Sequence, residues 1–164
     1  MIRIRPYKDS DEETILSWCR DETTYRRWTA GVLGTFPITH EQFSETGRLM
    51  RFTALDEKAV VGFFTLRNPS DTLDELRFGF VIVDPARRGA GIGQKMLRLG
   101  LRYAFEIYRA HRVTIGVFEE NTPARRCYRA VGFTETGRIE SYIYRGAQYR
   151  VLEMESTEQE GSRL

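Results

Sequence analysis

The chain has 164 residues, of which 41% are hydrophobic and 29% are charged. This length suits one compact domain, and a chain of this size buries roughly 70% of the surface that its unfolded form exposes. No apolar run approaches the ~20 residues that a membrane-spanning helix needs, so the composition argues against a membrane protein and against a disordered one. The N-terminus lacks the long apolar stretch of a secretory signal, and we expect a cytoplasmic location.

Charge and the rarer residue types exclude several kinds of site. The 25 basic and 23 acidic residues leave a net charge of +2, which does not indicate a nucleic-acid partner. The cysteines, Cys19 and Cys127, form no CxxC pair, and the histidines, His40 and His111, have no metal-ligand spacing. We therefore expect reduced cysteines and no metal site.

The first half of the chain contains short elements that end in an antiparallel hairpin. Hydrophobic periodicity and capping residues predict a strand over 2–7, then a helix capped by Ser10 or Asp11, and then a helix over 22–28. A capping box of Thr39 and Gln42 opens a brief helix that ends at about residue 46. Strands over 49–55 and 59–66 follow. Glycine and proline make residues 29–38 a loop, which we expect to form a mobile rim.

The second half of the chain alternates strands and helices. The same signals predict a strand over 75–83, a long helix over 94–109, a strand over 113–118, a helix over 123–131, and a last hairpin of strands over 139–144 and 149–154, joined across residues 145–148. This order indicates an α+β protein with a mixed sheet. We expect the core to end near Met154 and residues 156–164 to form a polar tail.

A glycine-rich loop separates the strand over 75–83 from the long helix. It reads Val83-Asp-Pro-Ala-Arg-Arg-Gly-Ala-Gly-Ile-Gly93. The first amides of a helix have no internal partner, and glycines allow a pyrophosphate to approach the backbone, so the loop is a candidate anion site. Its GxGxG spacing does not fit the GxGxxG dinucleotide fingerprint, and no Gly-Lys-Ser/Thr of a P-loop follows. The alternative is a tight turn that only caps the helix.

A second motif follows the strand over 113–118. It begins at Asn121, continues through Ala124 and Tyr128, and ends at Gly132-Phe133. Thr122 can cap the next helix with Pro123 at its first position, which would leave the Asn121 amide free. Residues 121, 124 and 128 would then share approximately one helix face. In the alternative interpretation Asn121 is only a cap and Tyr128 only a packed aromatic residue.

The two motifs in this order resemble those of the GNAT superfamily of acyl-CoA-dependent N-acetyltransferases. Arg88, Gly91 and Gly93 fill the pattern Arg/Gln-x-x-Gly-x-Gly/Ala, and the second motif fills Asn-x-x-Ala-x-x-x-Tyr-x-x-x-Gly-Phe. The resemblance covers about residues 1–155 and implies a single GNAT-like domain. It further implies a central, mostly antiparallel, splayed sheet flanked by helices in an αβα arrangement.

The resemblance also implies a reaction and a cofactor site. The reaction would be direct transfer of the acetyl group of acetyl-CoA to a primary amine, on a small molecule or a protein N-terminus, in a ternary complex without a metal. Tyr128 would be the acid that protonates the departing thiolate. Cofactor contacts would come from backbone amides at Val81, Ile82 and Val83 for the pantetheine arm, from Arg88, Gly89, Ala90, Gly91, Ile92 and Gly93 for the pyrophosphate, and from Asn121. Arg87, Lys95 or Arg98 could reach the adenosine 3′-phosphate.

The sequence departs from the family where a general base is expected. Many members carry a glutamate at positions that Arg77 and Gly116 occupy here. Glu75 shares a strand face with Arg77 and is the candidate base, through water, although an exposed structural carboxylate is the alternative. Glu119 and Glu120 are nearer the second motif.

Three further questions stay open at the level of the sequence. A non-catalytic acyl-CoA-binding or sensing module is an alternative to the enzyme, and a nucleotide-binding protein is a weaker one. Tyr25, Trp28 and Phe36 could form an aromatic wall for the acceptor amine or belong to the core. The exposed edge of the last hairpin could pair with another copy of the chain to form a homodimer.

Overall fold

The main β-structure is a seven-stranded mixed sheet, seen in a computed structural model that describes residues 1–157. Its strands are β1 (Ile2–Pro6), β2 (Met50–Asp56), β3 (Ala59–Arg67), β4 (Glu75–Val83), β5 (Arg112–Phe118), β6 (Thr134–Tyr144) and β7 (Ala147–Thr157). Their order across the sheet is β1-β2-β3-β4-β5-β7-β6. β1 pairs antiparallel with β2, and β7 pairs antiparallel with both β5 and β6. β4 pairs with β5 in parallel over Glu75–Phe78.

Five α-helices accompany the sheet within the described residues, which confirms the α+β class. They are α1 (Glu12–Ser17), α2 (Glu22–Thr29), α3 (His40–Ser44), α4 (Ile92–Arg102) and α5 (Thr122–Ala130). The predicted capping box opens α3, since the Thr39 hydroxyl accepts from the Gln42 amide and the Gln42 side chain accepts from the Thr39 amide, both at 3.1 Å. Over residues 1–157, none of the helices combines the length and apolar character needed to span a membrane.

The chain divides into two compact units. The first comprises residues 1–65 and 80–96, and the second comprises residues 66–79 with the chain from 97 onward. An aromatic cluster fills the first unit, where the ring of Phe43 lies 5.3 Å from that of Phe63 and 5.9 Å from that of Trp28. In the second unit the buried face of α4, including Leu97 and Leu101, belongs to the core with side chains of β5 and β7.

Asp11 occupies the predicted N-cap position of α1 but makes no side-chain capping bond to the helix, and Ser10 lies in a 3-10 turn before it. Its carboxylate accepts two hydrogen bonds from the Arg5 guanidinium at 2.8 Å, one from the Lys8 amide at 3.0 Å and one from the Thr53 hydroxyl at 2.7 Å. Asp11 is only 2% exposed. The carboxylate therefore joins β1, β2 and the turn before α1, because tertiary partners compete successfully with the local cap.

The last hairpin is longer and tighter than the pattern predicted. β6 begins at Thr134 rather than at residue 139, with a register irregularity between Glu135 and Ile139 that interrupts the period of two. The turn consists of Arg145 and Gly146, whose φ angles of 48° and 79° are those of a two-residue hairpin loop. β7 continues to Thr157 with Ser156 buried, which is past the expected end of the core. Residues 158–164 of the expected tail lie outside the described residues.

Helix α4 begins two residues before its predicted start and closes with a π-helical turn at Tyr103–Ile107. Its first α-helical hydrogen bond runs from the Lys95 amide to the Gly91 carbonyl at 3.1 Å. The glycine-rich loop therefore leads directly into the helix, and Ile92 and Gly93 lie in its first turn.

Candidate active site

The glycine-rich loop of the first unit contains two glycines with positive φ angles. Gly89 and Gly91 adopt φ angles of 83° and 74°, which L-residues rarely adopt. A Cβ built on either glycine would meet no atom within 4 Å, so the backbone angle and not crowding requires glycine there. Eleven residues of helix follow, and the amides of its first turn have no partner within the helix. The loop and helix together can hold an anion through backbone N–H groups.

Basic side chains border this loop around a cavity of about 400 Å³ in the first unit. The lining residues include Arg87, Arg88 and Lys95, with Asp56 as the acidic member. Arg87 donates to Asp56 at 3.2 Å. Hydrogen bonding from the N-terminal amine and the charge of Arg87 lower the pKa of Asp56, so this carboxylate stays ionised and leaves the cavity net positive. The net positive charge of the residues that line the cavity suits a phosphorylated ligand.

Arg98, the third basic residue predicted to reach a phosphate, makes a different contact. Its guanidinium donates to the Ala130 carbonyl at 3.1 Å, at the last residue of α5. Arg98 belongs to the second unit, whereas Arg87 and Lys95 both line the cavity of the first.

The end of β4 in the first unit carries a backbone distortion. Phe80 has a φ of 49°, and its carbonyl accepts a hydrogen bond from the indole nitrogen of Trp28 at 2.8 Å. Val81, Ile82 and Val83 follow, with Ile82 buried and its neighbours half-buried as strand alternation requires. Sequence reasoning missed the distortion, since nothing in the local pattern marks Phe80 as a positive-φ residue.

In the second unit Asn121 caps α5, which Thr122 was expected to do. The side-chain oxygen of Asn121 accepts from the Ala124 amide at 3.4 Å. The prediction of a Thr122 cap is therefore wrong, because the helix begins at Thr122 itself with Pro123 in its first turn. The side-chain NH₂ group of Asn121 takes no part in the cap and keeps its donor capacity.

Tyr128 is buried in the same unit. It lies on the face of α5 that packs against Phe133. The two ring centroids lie 6.2 Å apart, and Tyr128 is 8% exposed. Burial raises the pKa of the Tyr128 phenol above its ordinary value. The raised pKa keeps the hydroxyl protonated, so it stays a neutral O–H donor.

Glu75 opens β4 and is engaged in an ion-pair network. Its carboxylate accepts from Arg112 at 2.7 Å, and the same guanidinium donates to Glu153 at 3.2 Å and to Glu155 at 2.6 Å. No hydrogen bond or ion pair among the described residues joins Glu75 to Asn121 or Tyr128. The network gives Glu75 a structural partner, although the side chain is half-buried and not exposed as the alternative supposed.

Arg77 and Gly116 stand where family glutamates are expected. The Arg77 side chain lies against the Gly116 backbone, in the space that a side chain at position 116 would need. A Cβ on Gly116 would lie 2.8 Å from a terminal nitrogen of Arg77 and 3.2 Å from Val151. The Arg77 guanidinium also lies 3.5 Å from Glu153 and 3.4 Å from the Thr114 hydroxyl. The two positions are therefore in contact, since the Arg77 side chain on β4 fills the volume that a side chain at Gly116 on β5 would need.

The proposed aromatic wall is largely core. Tyr25 is fully buried and Trp28 is 5% exposed, while Phe36 is half-buried with its ring 6.1 Å from that of Tyr25. Two of the three side chains are thus packed in the first unit, which decides between the alternatives in favour of the core.

Cys19 is buried, Cys127 is half-buried, and both are free thiols as expected.

Comparison with known families matches residues 7–133 to the model described as the acetyltransferase (GNAT) family. The match spans both motifs and more than half of the chain. The chain belongs to the GNAT acetyltransferase family. The resemblance inferred from the two motifs is thereby confirmed.

Curated relatives of this GNAT protein match over part of their length. The spermine/spermidine N(1)-acetyltransferase of Bacillus subtilis strain 168 is 31% identical over 72 residues, which is 44% of this chain and 45% of that protein. The mycothiol acetyltransferase of Corynebacterium glutamicum strain R is 35% identical over 80 residues, 48% of this chain and 26% of that protein. The chain spans less than half the length of the curated relatives that it matches.

Solved structures share the fold of this GNAT protein along nearly its whole length. Spermidine N-acetyltransferase from Vibrio cholerae, solved with CoA and spermine, superposes with a TM-score of 0.83 at 20% identity and covers 98% of both chains. A GNAT-family acetyltransferase from Bacillus anthracis gives a TM-score of 0.80 at 16% identity, covering 96% of this chain and 95% of its own. The expected GNAT-like mixed sheet flanked by helices is confirmed.

Proposed function

We propose that this protein transfers the acetyl group of acetyl-CoA to a primary amine. The observation that carries the proposal is the loop of the first unit, where two positive-φ glycines and basic side chains precede an eleven-residue helix inside the family match. Free amides at a helix N-terminus favour a pyrophosphate. Arg88, Gly89, Ala90, Gly91, Ile92 and Gly93 would hold that pyrophosphate, and Arg87 or Lys95 the 3′-phosphate.

Acyl transfer requires three changes at the thioester. The amine nitrogen attacks the carbonyl carbon, the carbon–sulfur bond breaks, and the CoA sulfur leaves as a thiolate that takes up a proton. In this proposal the Val81 amide stabilises the oxyanion, with Ile82 and Val83 holding the pantetheine arm. Asn121 would contact the cofactor through its NH₂ group. Tyr128 donates the proton to sulfur, a role that suits a phenol whose raised pKa keeps it protonated.

The attacking amine must lose a proton, and Glu75 remains the proposed acceptor through water. Its ion pair with Arg112 opposes this role, because the guanidinium already occupies a carboxylate oxygen that would have to face the attacking amine. If Glu75 serves only the network, Glu75→Gln leaves the pH–rate profile unchanged. Loss of the lower limb of that profile in the variant supports Glu75 as the base.

The names of the relatives support a choice of acceptors to test. The Bacillus subtilis and Vibrio cholerae relatives are named for spermine and spermidine, and the Corynebacterium glutamicum relative for mycothiol. Small aliphatic primary amines, with spermidine first, are therefore the acceptors that we propose to test.

We also propose a homodimer through the edge strand β6, where Ile143 is 80% exposed.

A second candidate is a module that binds acyl-CoA without catalysis. The residues Arg77 and Gly116 favour it, since neither of these two positions carries a carboxylate. Such a module would bind acetyl-CoA but release no CoA when amines are added.

The experiment is a thiol assay of CoA release from acetyl-CoA with a panel of amines that includes spermidine, spermine and a peptide with a free N-terminus. Amine-dependent release, with stoichiometric acetylated product by mass spectrometry, is the expected result. Release at the amine-free rate for every member, together with tight acetyl-CoA binding, would assign the protein to the non-catalytic class. Displacement of acetyl-CoA by ATP at equal concentration would favour the nucleotide-binding alternative.

A further inference from the structure

The peptide bond between Phe80 and Val81 is held from one side by a buried indole. The Trp28 nitrogen donates to the Phe80 carbonyl at 2.8 Å, and Phe80 has the positive φ of 49°. A bulky aromatic residue is strained in this region, so the surrounding structure must hold it there. All of these residues belong to the first unit.

Within one peptide unit, the direction of the carbonyl group fixes the direction of the N–H group. In a planar trans peptide the carbonyl of one residue and the N–H of the next point in opposite directions. Because the Phe80 carbonyl points to the Trp28 indole, the Val81 N–H must point away from α2. A strand of regular geometry would instead direct this carbonyl along the sheet plane toward a neighbouring strand.

The indole itself is rigidly placed. Trp28 is 5% exposed and stacks on Phe43 with an angle of 30° between the rings. Helix α2, which carries it, is capped by Asp21, whose carboxylate accepts from the Thr24 amide at 2.7 Å. A fixed donor of this kind can orient a peptide without reorganising during a reaction.

We propose that Trp28 is a positioning residue for acyl transfer, whose indole N–H turns the Phe80–Val81 peptide so that the Val81 N–H faces the thioester carbonyl. This inference rests on the proposed function. Trp28 touches neither cofactor nor acceptor in this account. It acts through the peptide, and its effect is to polarise the carbonyl of bound acetyl-CoA.

The test is isotope-edited infrared spectroscopy of acetyl-CoA labelled with ¹³C at the carbonyl carbon. A hydrogen bond to this carbonyl lowers its stretching frequency, so the band of the bound thioester should lie below that of the free one. In Trp28→Phe we expect the band to return toward its position in buffer, while the dissociation constant for acetyl-CoA changes by less than about threefold, since the pyrophosphate loop is untouched.

The chain offers a matched control, because it has two tryptophans and the other is also buried. Trp18 is 3% exposed, and its indole nitrogen has no hydrogen-bond partner among residues 1–157. Trp18→Phe therefore removes the same atoms from a buried site and should leave the carbonyl band at its wild-type frequency.

Near-ultraviolet circular dichroism will show whether Trp28→Phe folds. If it does not fold, a second variant removes the hydrogen bond while keeping the packing of the ring. In the Trp18→Phe background the remaining tryptophan is replaced biosynthetically by 3-benzothienylalanine, which exchanges the N–H for sulfur and keeps the ring shape. We expect the same return of the carbonyl band in this protein.

A carbonyl band that stays at the wild-type frequency in the substituted protein would overturn the proposal. So would wild-type protein that binds acetyl-CoA without any shift of the band. Wild-type protein that does not bind acetyl-CoA would instead contradict the proposed function itself, so the two failures are distinguishable.

Discussion

Asn121 carries two tasks that different substitutions can separate. Its oxygen caps α5, and its NH₂ group is the proposed cofactor donor. Asn121→Asp keeps the capping oxygen and places negative charge at a helix N-terminus, where it is favourable, so we expect thermal stability to be retained. The aspartate loses the donor and repels phosphate, and affinity for acetyl-CoA should fall at least tenfold.

Asn121→Ala is the matched comparison for the cap. It should lower the free energy of unfolding by about 1 kcal/mol in urea denaturation, because a capping oxygen is lost. Unchanged acetyl-CoA affinity in the aspartate variant would mean that Asn121 is a cap and nothing more.

Tyr128→Phe tests the proposed acid. Because only the phenolic oxygen is removed, we expect kcat to fall by about 10²-fold with little change in acetyl-CoA affinity. Burial raises the pKa of Tyr128, so the wild-type rate should not decline through loss of this proton as pH rises to about 10. Stopped-flow rates and calorimetry measure the two quantities. Full turnover in Tyr128→Phe would remove this residue from the mechanism.

At the scale of elements, Gly62 on β3 allows α4 to approach the sheet within the first unit. A Cβ there would lie 2.6 Å from the Met96 sulfur, 3.3 Å from the Ala54 Cβ and 3.4 Å from the Ile82 carbonyl. Met96 is fully buried, so it cannot move aside freely. The close approach sets the position of the helix whose first turn follows the glycine-rich loop.

Gly62→Ala should therefore destabilise the protein by about 1–3 kcal/mol through overpacking and weaken acetyl-CoA binding through displacement of α4. Gly47→Ala is the control, since its Cβ would meet only Arg51, at 3.8 Å. Denaturant unfolding and calorimetric binding give the two readouts. Equal stability of both variants would show that β3 tolerates the extra methyl group.

Elements with a strong local signal were predicted from sequence, and elements shaped by distant contacts were not. The Thr39–Gln42 capping box and the α4 periodicity are local, and both elements formed as expected apart from the start of α4. The Phe80 distortion depends on an indole 52 residues away in the chain. No window of neighbouring residues contains that information.

For the molecule as a whole, the Asp11 carboxylate couples stability to pH. Burial alone would raise its pKa, but hydrogen bonds from Arg5, the Lys8 amide and Thr53 outweigh burial and lower it. A lowered pKa contributes stability that is present above the unfolded value of about 3.9 and is lost as pH falls through the folded value.

Asp11→Asn should lower the free energy of unfolding by about 3 kcal/mol at pH 7, because Arg5 loses the charge of a buried partner. The difference from wild type should begin to shrink below about pH 4, where the carboxylate starts to protonate in the unfolded chain, and it should vanish only below the lowered pKa of the folded state. Asp9→Asn, at an exposed position two residues earlier, should change stability by less than about 0.5 kcal/mol. A constant difference across pH 3–7 would contradict this assignment.

The family and the glycine-rich loop before α4 could be recognised from sequence because both depend on residues close together in the chain. The base could not, since family position gave only Arg77 and Gly116, and the contact between those two residues appears only when β4 and β5 pair. The partner of Glu75 was hidden for the same reason, because Arg112 lies 37 residues further along the chain.

Calorimetric titration with acetyl-CoA tests the central claim most directly, comparing wild type with Gly91→Ala and Gly137→Ala. Both glycines have positive φ angles, 74° and 89°, with open space around a would-be Cβ, so the two substitutions carry similar intrinsic strain. We predict saturable one-to-one binding to wild type and to Gly137→Ala, and at least tenfold weaker binding to Gly91→Ala. Absence of binding to the wild-type protein at millimolar acetyl-CoA, or equal affinity in all three proteins, would contradict this claim.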